Sequence, residues 1–183
     1  MQRNIRGYTL TELLITTTIA AIILSQAIPA LSDFTQSHKA RQDITSLHML
    51  LNASREQALS LGTRVTLCHL LNNQCSNNWN EELQLFTDPN NNARLDPNEM
   101  ILHTLHKADD QTIQRHFNNK SISFDSRGFA GNSNGSLSYC LKKHKLIGAA
   151  IIISRNGRMR RGGDSNHDGI PETASGQNIP CPA

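Results

Sequence analysis

With 183 residues, less a short leader, the chain has room for one anchored helix and one modest domain. The formal net charge is +3 and would fall to +1 without Arg3 and Arg6, so no partner can be read from net charge alone. Its distribution says more: residues 1–126 hold more acidic than basic side chains, whereas Arg127 to Gly163 contains no Asp or Glu, the first sign of a basic face.

The first predicted element is the run Tyr8 to Ile28, YTLTELLITTTIAAIILSQAI, whose only charge is Glu12. It has about the 20 residues a helix needs to cross a bilayer core. Ahead of it lies MQRNIRG, basic through Arg3 and Arg6. A secretory signal would place a small-residue cleavage site after the apolar region; here Pro29, Ala30 and Leu31 lead straight into more helix-like sequence. A basic leader ending in Gly7, the aromatic Tyr8, then Thr-Leu-Thr-Glu-Leu-Leu resembles the type IV prepilin signal. The resemblance implies that a prepilin peptidase cuts between Gly7 and Tyr8 and methylates the new N-terminus. Glu12 would then be the fifth residue of the mature chain, pairing with the N-terminal amine of a neighbouring pilin in an apolar filament core. Tyr8 departs from the Phe usual in that family, and Pro29 falls where pilins commonly carry a helix-kinking proline. The bland alternative is a plain anchor with an incidental carboxylate; against it stands the cost of a few kcal/mol for a charge inside an apolar span.

Beyond Pro29, Ile44, Leu47, Leu51, Ala58 and Leu61 recur at three- and four-residue steps, with Arg41, Asp43, Arg55 and Glu56 on other faces. Gly62 is a natural C-cap. Tyr8 to Leu61 therefore reads as one helix on the order of 80 Å long. From Arg64 the period changes, and strands are predicted at Val65–Leu70, Leu83–Phe86, Ile101–Leu105, Ser121–Phe124, Leu137–Leu141 and Ala149–Ser154, separated by Asn, Gly, Pro and Asp clusters. The expected fold is α+β and pilin-like: a long kinked N-terminal helix, apolar in its first half, packed on an antiparallel β-sheet domain. Its parts are a removed leader (1–7), a transmembrane or filament-core half-helix (8–32) and a soluble head (33–183). The head comprises distal helix 33–61, β domain 62–161 and an irregular tail 162–183.

Cys68, Cys75, Cys140 and Cys181 allow three disulfide pairings, and a translocated head would sit where disulfides persist. The favoured pairs are Cys68–Cys75, closing a short polar loop, and Cys140–Cys181, tying down the C-terminus. A zinc site would want C-x-x-C pairs or histidines paired at zinc-ligand spacing, and neither pattern is present.

Val65-Thr66-Leu67-Cys68, Trp79, Phe86-Thr87-Asp88, Phe124-Asp125-Ser126-Arg127-Gly128 and Ile153-Ser154-Arg155-Asn156-Gly157-Arg158-Met159-Arg160 together resemble the GspH/FimT class of minor pilins and pseudopilins, most of all FimT and FimU-type minor pilins. The resemblance implies assembly with other pilins, residence in the bacterial inner membrane with the head in the periplasm, and later an extracellular pilus.

Asp88, Asn90, Asn92, Asp96 and Glu99 have EF-hand-like spacing. Ala93 stands where the turn glycine belongs, two acidic ligands are Asn, and no helical pattern flanks the loop, so a plain turn is expected. Asp164-Ser-Asn166-His-Asp168-Gly169 ends on Ser175 rather than Glu and is read the same way. The eight histidines form no metal motif, and no G-x-S-x-G, P-loop or dinucleotide fingerprint is present; no cofactor and no enzymatic activity are expected.

The basic segment carries the functional expectation. Lys142, Lys143 and Lys145 belong to one strand region, and Arg155, Arg158, Arg160 and Arg161 follow the apolar run Ala149–Ile153. Arg158-Met159-Arg160 puts two guanidinium groups on one side of an extended chain, and Gly157, Gly162 and Gly163 permit close backbone approach. Arginine's planar fork suits phosphate. Gly157-Arg158-Met159-Arg160 also resembles a G-R-x-R motif of FimT-type pilins that bind DNA in natural transformation. Sequence-independent DNA binding through phosphates is expected; a solvated basic face or a contact with acidic neighbours is the alternative.

Overall fold

The computed structural model describes residues 9–109, 113–141 and 148–179. Helix α1 (Leu10–Leu61) is followed by β1 (Val65–Leu71), β2 (Gln74–Ser76), β3 (Leu83–Thr87), β4 (Ile101–Leu105), β5 (Ile113–His116), β6 (Ile122–Phe124), β7 (Gly135–Leu141), β8 (Gly148–Ile153) and β9 (Met159–Arg161), with a 3-10 turn at Gly131–Ser133. The chain divides into two compact units, Met1–Lys39 and Ala40–Ala183.

In the first unit the helix opens on a reciprocal cap. Glu12 donates its backbone N–H to the Thr9 hydroxyl at 3.3 Å, while Glu12 Oε2 accepts the Thr9 N–H and hydroxyl, each at 3.0 Å. This is a capping box, legible in Thr9-Leu10-Thr11-Glu12 but not anticipated from the sequence. Leu10–Ile28 is long and apolar enough to cross a membrane, and Leu10, Ile15, Ile22 and Ile28 are all exposed. The hydroxyls within it are silenced by their own helix. Thr16 and Thr17 donate to the Leu13 carbonyl at 3.0 Å each, Thr18 to Leu14 at 2.7 Å and Ser25 to Ile22 at 2.7 Å. Polar groups satisfied this way can sit in hydrocarbon, where an unpaired one costs several kcal/mol.

In the second unit, Ala40, Leu47, Leu51, Ser54 and Ala58 form the buried face of α1. Ser54 belongs there because its hydroxyl bonds the Leu50 carbonyl at 2.7 Å. Leu61, expected on that face, is instead 46 % exposed, because the helix ends there and Gly62 turns the chain away at φ +61°. Two antiparallel sheets, rather than the one expected, receive the helix face. The first runs β2-β1-β3-β4, with β6 also paired to β1; the second runs β5-β7-β8-β9. Leu47, Leu51 and Ala58 pack with Val65, Leu67, Leu85, Phe124, Leu137 and Ile151 in a core shared by helix and sheets. Trp79 is buried edge-on to Phe117, at 5.4 Å between centroids, with its N–H donated to the Asn119 carbonyl at 2.9 Å.

Three strands were absent from the sequence expectations. β2 exists because Asn72 and Asn73 both take left-handed conformations, φ 51° and 61°, and so close a two-residue hairpin of the primed kind. Leu71 pairs Gln74 across that turn, and Cys68 is bonded to Cys75 as expected. β5 carries a buried arginine: Arg115 Nε reaches Asp43 Oδ2 at 3.0 Å, and its Nη2 bonds Asp43 Oδ1. Beside this pair the Tyr139 hydroxyl donates to the Ala40 carbonyl at 3.0 Å. Burial, reinforced by the Asp43 carboxylate, keeps that phenol protonated far above the ordinary range. β9 continues from β8, with Ile152 opposite Arg160 and Ile153 opposite Met159. The tail to Ile179 holds no strand or helix and is pinned where Ile179 packs with Cys140 and Ala150. Cys140 is disulfide-bonded; its expected partner, Cys181, lies outside the described residues.

Candidate functional site

The arginines of the C-terminal third lie on one hairpin. β8 ends at Ile153, and the turn closes with Gly157 N–H to the Ser154 carbonyl at 2.8 Å and Ser154 N–H to the Arg158 carbonyl at 2.9 Å. Asn156 Oδ1 accepts the Arg158 N–H at 3.2 Å. A turn followed by a left-handed residue is the usual three-residue hairpin loop, and Gly157 at φ +76° supplies that residue. Met159 then packs on the core, leaving Arg158 and Arg160 on either side of it exposed, with Arg155 and Arg161 exposed as well. Among the described residues none of these four arginines has a carboxylate partner, whereas Arg115 and Arg127 are paired with Asp43 and Asp125. Lys142, Lys143 and Lys145, expected to add to the same field, lie outside the described residues, as do Gly7 and Tyr8.

The hairpin is fastened to a second turn. Ala130 and Gly131 both donate their N–H groups to the Arg155 carbonyl at 3.0 Å. A Cβ on Gly157 would stand 1.8 Å from the Gly128 carbonyl oxygen. That same oxygen accepts Arg55 Nε from helix α1 at 3.1 Å. A Cβ on Gly162 would meet the Glu172 carbonyl oxygen at 2.5 Å. The backbone that each of these two glycines approaches closely is thus the protein's own. Sequence reading missed Arg55 and Arg127 as neighbours of the hairpin, since only the fold brings the Asp125–Gly128 turn against it.

The two Asp- and Asn-rich loops are self-satisfied turns. Asp88 is fully buried; its carboxylate accepts the Thr66 hydroxyl at 2.7 Å, Asn92 N–H at 3.0 Å and Ala93 N–H at 3.2 Å. Asn90 and Asn92 donate their amides to Asp96 Oδ2 at 2.9 and 2.8 Å, bonds that hold the Asp96 carboxyl below its ordinary range. Glu99 caps the Asp96 N–H at 2.9 Å. In the second loop Asp164 accepts the N–H groups of Asp168 and Gly169. Among the described residues no group of three or more His, Cys, Asp or Glu side chains is placed to hold a metal ion.

Among the described residues, one long helix with an exposed apolar first part and a distal part packed on two antiparallel sheets gives the pilin arrangement. The chain belongs to the GspH family: the model described as type II transport protein GspH matches residues 43–157, and that of the prokaryotic N-terminal methylation motif matches residues 2–25. The fold is similar to the crystal structure of the type IV minor pilin FimU of Pseudomonas aeruginosa, with TM-score 0.55 and 15 % identity over 69 % of this chain and 90 % of that one. A second crystal form of FimU aligns at TM-score 0.49 and 16 % identity, over 67 % and 92 % of the two chains. No curated protein matches. The protein is a minor type IV pilin or GspH-like pseudopilin, a member of a family of structural proteins that assemble with other pilins. The methylation motif and the apolar helix fit a subunit anchored in the inner membrane and then incorporated into a pilus.

Proposed function

We propose that this minor pilin binds extracellular DNA through the hairpin arginines Arg155, Arg158, Arg160 and Arg161 and so supports DNA uptake in natural transformation. The observation that carries the reading is their exposure on one rigidly mounted hairpin without a carboxylate partner among the described residues. An unpaired guanidinium exchanges only water for phosphate, and its fork donates two parallel hydrogen bonds. Each contact releases condensed counterions, so log affinity falls linearly with log salt, by about 0.9 per phosphate contact on duplex DNA. Lys142, Lys143 and Lys145 add to the field, and the binding is indifferent to sequence. Before assembly, prepilin peptidase cuts between Gly7 and Tyr8, and in the filament Glu12 pairs with a neighbouring subunit's N-terminal amine. The protein has no enzymatic activity in this reading.

The test is a salt titration of DNA binding by detergent-solubilised full-length protein. Changing Arg158→Gln and Arg160→Gln should each make the salt slope shallower by roughly one, with piliation intact. A double variant that binds as well as wild type, with an unchanged slope, would rule out this site. Loss of pili in these variants would point to a contact with another pilin that primes assembly, and failed export of secreted enzymes to a secretion pseudopilin.

A further inference from the structure

Base stacking had no support in the sequence, because no aromatic residue is interleaved with the arginines. The fold supplies one. Phe129 follows the turn on which the hairpin is mounted and is 45 % exposed. Arg127 lays its guanidinium 5.2 Å from the centre of the Phe129 ring, and the Arg127 side chain is itself 76 % exposed. Phe129 also forms one wall of a cleft of about 260 Å³, lined further by Arg64, Asn91, Asn132 and Ser133. Ala130 and Gly131, whose N–H groups grip the Arg155 carbonyl, are part of the same lining. Cleft and arginine hairpin are therefore one backbone-linked assembly.

The cleft sets an aromatic ring and polar side chains next to the arginine hairpin. Its volume falls below the roughly 300–1,000 Å³ of ordinary ligand pockets, a size suited to one planar ring system. The side-chain amides of Asn91 and Asn132 make no hydrogen bond among the described residues, and each offers both a donor and an acceptor to a base edge. Asp125, the carboxylate on the lining, is already occupied. Burial pushes its pKa up, but the N–H of Phe129 and the bonds from Arg127 outweigh this and hold it below the ordinary range. Arg127 Nη2 sits 2.9 Å from Asp125 Oδ2, so the charge is neutralised in place rather than presented to an incoming phosphate. Arg64, also on the lining, has no carboxylate partner among the described residues.

We infer that the cleft beside Phe129 accepts one unpaired base, stacked on the Arg127–Phe129 pair, so that the hairpin binds single-stranded DNA in preference to duplex. This rests on the DNA-binding reading above and specifies its partner. In a duplex the base faces are stacked on one another and unavailable, and the arginines meet phosphates alone. An unpaired strand offers both phosphates and a free π-face, which aromatic and guanidinium platforms take without regard to sequence.

The experiment measures affinity of detergent-solubilised full-length protein for an oligothymidylate and for a blunt duplex of equal length, at one salt concentration. Wild type should bind the single strand tighter by about 5-fold or more, the lower end of what one stacked base contributes. Phe129→Ala should remove that excess and leave duplex affinity unchanged. Phe129→Tyr should restore it, which excludes a folding defect, and thermal melting of each variant checks the fold directly. Equal wild-type affinities for the two DNAs, or a Phe129→Ala protein that still prefers the single strand, would overturn the inference while leaving the arginine site standing. Loss of filament incorporation in Phe129→Ala with both affinities intact would also overturn it, assigning the ring to a pilin contact. Failure of wild type to bind either DNA would defeat the underlying reading as well.

Discussion

At Gly157 one methyl group would decide whether the arginine hairpin can be mounted at all. The residue holds φ +76°, a region that costs a side-chain-bearing residue on the order of 1–3 kcal/mol. Its missing Cβ would also overlap the Gly128 carbonyl, a backbone atom held in turn by Arg55. Neither obstacle can be relieved by a rotamer change. Gly157→Ala is expected to destabilise the head by more than about 2 kcal/mol and to lower Tm by several degrees, as thermal melting would show. Gly163→Ala, with open space around its Cβ, is the control and should melt near wild type. An equal melting temperature for wild type and Gly157→Ala would mean that the two turns do not abut.

Among the elements, β5 shows where sequence pattern and fold part company. Ile113-Gln-Arg-His is absent from the predicted strands, because period-two alternation expects apolar side chains on the buried face. The fold buries Arg115 there and pays with Asp43, far away on the helix. Pattern reading has no means of seeing such a long-range pair. β2 differs, since Asn72-Asn73 was a turn signal in plain view and only the shortness of the flanking strands hid it. The helix and the strands β1, β3, β4, β6, β7 and β8 were legible from their short apolar runs and the turn residues between them. At the candidate site the arginines were legible for a simpler reason: all four fall between positions 155 and 161. Phe129 and Arg64 were not, because nothing but tertiary structure brings them to one cleft.

The buried pair also gives an element-scale expectation. Among the described residues Arg115 Nη1 is buried without a partner, so within them the pair is imperfectly satisfied. Breaking such a pair leaves an uncompensated charge and costs about 3–5 kcal/mol. Arg115→Met should lower Tm by roughly 10 °C, whereas Arg115→Met with Asp43→Leu should recover much of the loss, because two apolar groups leave no orphaned charge. A double variant no more stable than the single one would show that the pair is not the principal latch between β5 and the helix.

On the scale of the whole molecule, the chain must exist in two settings, a bilayer and a filament, and its first unit is built for both. The apolar stretch carries hydroxyls that bond only to their own helix and one carboxylate that the Thr9 cap already serves. Mass spectrometry of membrane and pilus fractions should find a mature chain that begins at a methylated Tyr8. An intact Met1, or a cut after Ile28, would contradict the processing expected of the methylation motif at residues 2–25. A bulky replacement at Gly7 should leave the leader on.

The way the arginine turn is anchored has a mechanical consequence. A load on the hairpin tip enters at Arg155, whose carbonyl is gripped by two N–H groups, and passes along β8, which is flanked on both edges by β7 and β9. Tension parallel to that strand strains the ladder bonds on both sides together, in shear, instead of opening them one at a time like a zipper. Through the Gly128 carbonyl and Arg55 the same tension reaches helix α1 without crossing the irregular tail. Whatever the tip holds is therefore tied to the distal part of helix α1 through the two N–H groups on the Arg155 carbonyl and the Arg55–Gly128 bond.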